Sequence, residues 1–114
     1  MLSESDILQR YSERGFVQSS EIYLSPSVGL EMVDECQKND LAIISIETFV
    51  LKDTLIQPRL DLVADYSSTQ VSHWHEYRDI CNEAAKRFLT ELLSSNQPVV
   101  SFVIQSQTEW LPEV

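Results

Sequence analysis

Glycine is nearly missing from this chain, with two in 114 residues. Glycine takes positive φ without strain, so few positions can turn the backbone that way cheaply, and long irregular loops are not expected. Cysteine is as scarce. Cys36 and Cys81 fall on separate predicted helices, each at an apolar stripe position that suits a small buried thiol. A disulfide between them is allowed but not needed. The opening MLSESDILQR has no basic segment and no apolar core of the kind a signal peptide carries, so reduced cysteines in a cytoplasm are the expectation. No apolar run approaches the ~20 residues of a spanning helix.

Positive charge is the other shortage. Eight Lys and Arg stand against 18 Asp and Glu, a net charge of −10. Eight cations spread along the whole chain build no basic patch, so nucleic-acid binding by phosphate neutralisation is not expected, nor is binding to an anionic membrane. A basic protein partner fits this charge, which would steer it and speed association at low salt. The same charge also serves a domain that uses it only for solubility.

Signatures of chemistry are missing too. The sequence holds no Gly-rich phosphate loop, no G-x-S-x-G and no Cys-x-x-Cys. His73-Trp74-His75 would aim both rings one way on a strand, but on a helix they diverge by ~200°. Glu76 and Asp79 complete no recognised ligand spacing with them, so the motif reads as a helix start with two solvated imidazoles. Cys81 is too far round the helix from His75 to form a nucleophile pair and reads as a buried structural thiol. No metal, no cofactor and no catalytic activity are expected. One enzymatic alternative stays open. Glu47 and Asp61 share a strand parity, and two carboxylates can run acid/base chemistry, although two charges on the wet face of a sheet are commoner.

What the chain does have is apolar pattern. It is 43% hydrophobic and 23% charged, which suits one domain over residues 1–114 with its own core. Leu41 to Asp65 organises it: two apolar runs around a polar turn at Lys52-Asp53-Thr54. The first run is dense in Ile, Val, Thr and Phe, which favour strands. A two-residue period puts Ala42, Ile44, Ile46, Thr48 and Val50 on a core face, and Glu47 and Phe49 on a mixed one. In the second run Ile56, Pro58, Leu60, Leu62 and Ala64 share a face, opposite Gln57, Arg59, Asp61 and Val63. This predicts a β-hairpin, with Pro58 forcing its strand to a sheet edge or a bulge.

Helices are expected over Ser5–Arg14, with Ser3 or Ser5 as cap and Gly15 past the end, and from Pro26 to Lys38 behind Ser25. The stretch Gln18–Glu21 reads as a linker. A long helix is expected from His73 to Ser94 with Ser72 as cap. Its apolar stripe is Trp74, Tyr77, Ile80, Cys81, Ala84, Phe88 and Leu92, with Ala85 and Leu89 at the margins. Ser95-Asn96-Gln97-Pro98 breaks this helix, and Val99–Ser106 is a third strand. The order is α-α-β-β-α-β. The fold class is α+β, a two-layer sandwich with a three-stranded antiparallel sheet in order 2-1-3 and helices packed on one face. Its sheet edges stay available to a partner.

Laid out this way, the chain resembles the immunity protein 40 family of bacterial polymorphic-toxin systems. The resemblance rests on Tyr23-Leu24-Ser25 entering a helix, on Glu47-Thr48-Phe49 in place of the family's Asp-x-Tyr, on Ile56-Gln57-Pro58 with Asp61, and on Glu76-Tyr77 opening a helix that continues through Ala84-Ala85-Lys86. It departs where the family has two glycines before the acidic residue, here Ser45-Ile46, and where a tryptophan is expected shortly after Asp61. The resemblance implies a cytoplasmic, non-enzymatic protein that binds and neutralises a cognate toxin domain, such as a basic nuclease. Partner-binding residues expected on that reading are Glu47, Asp61 and Asp65, with Phe49 and Trp110 as aromatic anchors. The alternative is a small acidic secretion chaperone or adaptor that binds a protein partner.

Overall fold

The computed structural model describes residues 1–94 and 98–110. The chain runs α1 (Glu4–Ser12), β1 (Phe16–Gln18), β2 (Glu21–Tyr23), α2 (Pro26–Lys38), β3 (Leu41–Lys52), β4 (Leu55–Asp65), α3 (Trp74–Leu92), β5 (Pro98–Ser106) and α4 (Gln107–Trp110). The fold is α+β with antiparallel sheets. The predicted helix break at 95–97 and the tail from 111 lie outside the described residues.

The element order corrects the simpler α-α-β-β-α-β expectation. The predicted linker around Ser19-Ser20 is a hairpin, β1–β2, with a two-residue turn in which Ser19 and Ser20 have φ of 53° and 68°. Two positive φ values define the mirror-image turn that suits strand twist, normally built from Asn-Gly. With glycine so scarce, serine takes the left-handed conformation, as do Asp40 and Asp53 at φ 58°. Gly15 sits at negative φ and is glycine for a different reason: a Cβ there would lie 2.1 Å from the Tyr23 carbonyl oxygen.

The main sheet has the order β4-β3-β5, all antiparallel. Leu24, just past β2, exchanges both backbone hydrogen bonds with Val100 of β5, at 2.9 and 2.8 Å. The small hairpin therefore closes the β5 edge at Val100, and among the described residues β4 is the edge without a partner.

Ser3 and Asp6 cap α1 reciprocally, and the Ser25 hydroxyl accepts the Val28 amide at the start of α2. Ile7 and Tyr11 of α1, Met32, Val33 and Cys36 of α2, and Ala85, Leu89 and Leu92 of α3 bury against Ile43, Ile46, Val100 and Ile104 of the sheet. Each large apolar side chain so buried contributes about 1.5–3 kcal/mol. A second cluster joins Ala42 to Trp74, Tyr77 and Cys81. Both cysteines are buried and free, and burial pushes the Cys36 thiol up to about 12.

Two irregularities change which side chains face the core. β3 bulges between Ile43 and Ser45 against β5, so Leu41, Ala42 and Ile43 are all buried while Ile44 is half-buried. The even-numbered face therefore holds for Ile46 and Thr48 but not for the start of the strand. β4 shifts register between Val63 and Pro58, opposite Glu47 and Phe49. The extra residues loop outward, and Leu60, expected on the core face, is 82% exposed. Pro58 lies beside this break on the edge strand. Its missing amide faces the free side, because Lys52–Leu55 closes the turn as a bonded pair and Phe49–Pro58 falls on the non-bonded alternation.

α3 is also turned relative to expectation. Ser72 is not its cap; His73 holds that position with no side-chain capping bond. Ala85 and Leu89 are central to the buried stripe, Ile80 is exposed, and the polar Asn82 is buried. The turn follows from Asn82, whose amide reaches the backbone of β3.

Candidate functional site

Past the β3 bulge, alternate residues point away from the helices. The register sets Ser45, Glu47 and Phe49 of β3 beside Asp65, Val63 and Pro58 of β4, and beside Val103, Ser101 and Val99 of β5. Ile46, Thr48, Val100 and Ile104 go the other way, into the core. Side-chain alternation thus makes a second sheet face, away from the helices, on which Val99 and Ser101 of β5 are buried while Glu47, Val63 and Asp65 are exposed. Val63 and Val103 are each about half exposed on it. An aromatic row crosses its end: Phe16 stacks on Tyr23 at 5.1 Å, and Tyr23 meets Phe49 edge-on at 5.1 Å. Such pairs contribute about 0.5–1.5 kcal/mol beyond their burial.

The face is electrically one-sided. Arg10, Arg14, Arg59, Arg78, Lys86 and Arg87, six of the eight basic side chains, stand in ion pairs. Five of the six, all but Arg59, pair with a carboxylate on α2 or α3. Glu47 and Asp65 are in no ion pair among the described residues. Burial, then the charges of Glu21 and Glu47, raise the Tyr23 phenol above its ordinary value. Asp65 accepts the Ser67 hydroxyl at 2.6 Å and the Ser67 amide at 2.9 Å, which hold its carboxyl below the ordinary range.

Of the predicted partner-binding residues, Glu47, Phe49 and Asp65 come together here. Asp61 lies in the irregular stretch of β4. Its carboxylate takes two hydrogen bonds from Arg59, at 3.0 and 2.8 Å, which hold it below the ordinary range. Arg59 is its neighbour, not Glu47. Trp110 belongs to a different cluster. It is half-buried against Tyr77 at 5.2 Å and Trp74 at 5.9 Å, and its place is that of a packed side chain. Sequence reasoning missed Phe16, Tyr23, Val63 and Val103. The alternation of Glu47 with Phe49 pointed to the face, but joining Tyr23 to it required the hidden Ser19-Ser20 turn.

In the His73-Trp74-His75 motif Trp74 is the anchored residue and both histidines are exposed. Asp40 accepts the Trp74 indole N–H and an Arg78 N–H, both at 2.7 Å, and His75 Nε2 lies 3.9 Å from the same oxygen. No group of three or more His, Cys, Asp or Glu among the described residues is placed to hold a metal. A groove of about 260 Å³ between α2 and α3 is lined by Gln37, Asp79, Asn82, Glu83 and Lys86. Its polar groups are bonded to one another or to neighbours: Gln37 to Asp79 and Asn82, and Lys86 to Asp34. No helix among the described residues is long and apolar enough to cross a membrane.

Compared with known proteins, the sequence matches no family model and no curated protein.

Proposed function

We propose that this chain is a non-catalytic binding protein whose open sheet face takes a basic protein partner. The partner is a toxin domain that the chain neutralises in the cytoplasm, as its resemblance to the immunity protein 40 family implies. One observation carries the reading: Glu47 and Asp65 are exposed beside the half-exposed Val63, without a basic partner among the described residues, in a chain of charge −10. Uncompensated carboxylates beside exposed valines and an aromatic row combine long-range steering with apolar contact area.

The test is co-expression with the toxin domain encoded beside this gene, scored by growth, followed by a pull-down of the purified pair. Rescue with a stable complex is the expected result. No rescue and no complex would discard the toxin reading.

A second reading has its own observation. Leu55 and Leu60 on the β3–β4 hairpin are 62% and 82% exposed, which suits an adaptor or chaperone that binds or dimerises through apolar contact. A monomer at tens of micromolar would weigh against it.

A further inference from the structure

Among the described residues no strand pairs with the outer edge of β4. The Tyr66 amide donates to the Ile44 carbonyl at 2.7 Å. Bonded and non-bonded pairs alternate in an antiparallel ladder. Ile46–Ala64 is then the next bonded pair, and Ser45–Asp65 and Glu47–Val63 are non-bonded. The amide and carbonyl groups of Val63 and Asp65 therefore point away from β3, toward the free side. Exposure alternates from Asp61 to Asp65, although Asp61 itself lies where β4 has no partner on β3. Leu62 and Ala64 are half-buried against the core, and Asp61, Val63 and Asp65 are exposed.

We infer that this edge takes an extended segment of a partner as an additional antiparallel strand, with Lys or Arg opposite Asp61 and Asp65 and an apolar residue opposite Val63. The inference rests on the binding-protein reading above and adds the mode of docking and the sequence pattern docked. Backbone bonds would give affinity, and the alternating side chains would give selectivity.

Charge decides between occupants. A second copy of this chain pairing antiparallel about Val63 would set Asp61 opposite Asp65 and Asp65 opposite Asp61. Like charges directly opposite one another are destabilising, so the edge discourages self-pairing. A cationic strand turns the same two positions into attractive pairs. Glu47, opposite Val63 on the neighbouring strand, adds a third carboxylate beside that strand. Arg59 bonds Asp61 on the surface, and an exposed pair of this kind contributes only about 0–1 kcal/mol, so it is readily exchanged.

The experiment is an NMR titration of the whole chain with the capped peptide Thr-Lys-Thr-Val-Thr-Lys-Thr. A second peptide is the same but N-methylated at alternate residues, and a third has glutamate for lysine. The expected result is saturable shifts centred on the Val63 and Asp65 amides, with exchange at those amides slowed. Affinity should fall about tenfold or more with N-methylation or charge reversal. Val63→Pro should abolish binding, because it removes one outward amide at an edge where proline is tolerated, while Val63→Thr should retain it. Equal binding of the N-methylated peptide would overturn the inference. So would shifts centred on the Tyr23–Phe49 row instead of the edge, or no shift at about 1 mM peptide. Toxin rescue without edge binding discards strand addition alone. Edge binding without rescue discards the toxin reading alone.

Discussion

The side chain of Asn82 completes the backbone of Ile43. Its Oδ1 accepts the Ile43 amide at 2.8 Å, and its Nδ2 donates to the Leu41 carbonyl at 3.0 Å. β4 pairs with β3 only from Ser45 onward, so the start of β3 has no strand on that side. A side-chain amide, with one acceptor and a two-hydrogen donor, satisfies an exposed stretch of strand there. Gln37 takes the second Asn82 hydrogen at 2.7 Å.

Removing that amide should be among the more damaging single changes in the molecule. Asn82→Leu keeps a similar volume but orphans the Ile43 amide and the Leu41 carbonyl, both buried. Each orphaned group costs about 1–3 kcal/mol, so a loss of roughly 2–6 kcal/mol is expected in urea unfolding. Asn82→Asp should restore the bond to Ile43 but repel the Leu41 carbonyl, and it should also destabilise. A loss below about 0.5 kcal/mol for the leucine variant would mean that another group closes this edge.

The β1–β2 turn should gain from the residues it lacks. Ser19 and Ser20 both hold positive φ, which costs a non-glycine residue about 1–2 kcal/mol. The double change Ser19→Asn, Ser20→Gly supplies the residues that prefer this turn. Thermal unfolding should show a gain of about 1 kcal/mol. An unchanged or lower midpoint would show that the serines carry no strain there.

Much of the fold was legible because its strongest patterns are local. α2 runs from Pro26 to Lys38 behind a Ser25 cap, and the β3–β4 hairpin turns at Asp53-Thr54. The elements that escaped depend on exceptions to local rules. Ser-Ser is not a turn signal, so β1–β2 read as a linker. Bulges leave little trace in a sequence of alternating Ile and Val, so strand parity puts Leu60 inward and gives no sign that Leu41, Ala42 and Ile43 are all buried. Nothing local marks Asn82 as buried, because its partner is backbone 39 residues away. In the candidate site, Glu47 and Phe49 followed from strand parity. Trp110 lies apart from them: an aromatic near a chain end reads equally well as an anchor or as packing, and its contacts with Trp74 and Tyr77 are long-range.

A carboxyl pair ties the first helix to the last. Glu4 is half-buried in the first turn of α1, and burial followed by its contact with Glu109 pushes its carboxyl from 4.5 up to about 7. Glu109 accepts the Ser106 amide at 3.0 Å and is held below the ordinary range by the hydrogen bond from Glu4. Glu4 thus keeps in the folded state a proton that the unfolded chain releases at lower pH. Its contribution to stability is fully present below about 4.5 and is lost as pH rises through about 7. Glu109 is ionised across that window. Trp110 ends α4, so its fluorescence should report the change, with a midpoint near 7 that Glu4→Gln abolishes. A signal that is flat from about pH 5 to about pH 9 would show that the pair does not titrate there.

The open face makes a kinetic prediction that separates steering from packing. Glu47 and Asp65 are exposed, and no basic side chain among the described residues pairs with them. Their charges act on an approaching partner over about 10 Å at ordinary ionic strength. Reversing both, Glu47→Lys with Asp65→Lys, should slow association with the basic partner by about tenfold at low salt and flatten its salt dependence. The stability cost should be small, apart from the lost Ser67 contacts of Asp65. Phe49→Ala should behave in the opposite way. It removes an edge-on contact with Tyr23 and apolar area from the face, so dissociation should speed up while the association rate barely moves. Asp61→Lys is the control for position: its carboxylate is already matched by Arg59, so the association rate should fall less than for the other two. Stopped-flow or surface measurements at two salt concentrations give both rates. If charge reversal left association unchanged at low salt, the partner would not approach over this face, and the helical side with its Asp79 and Glu83 carboxylates would take its place.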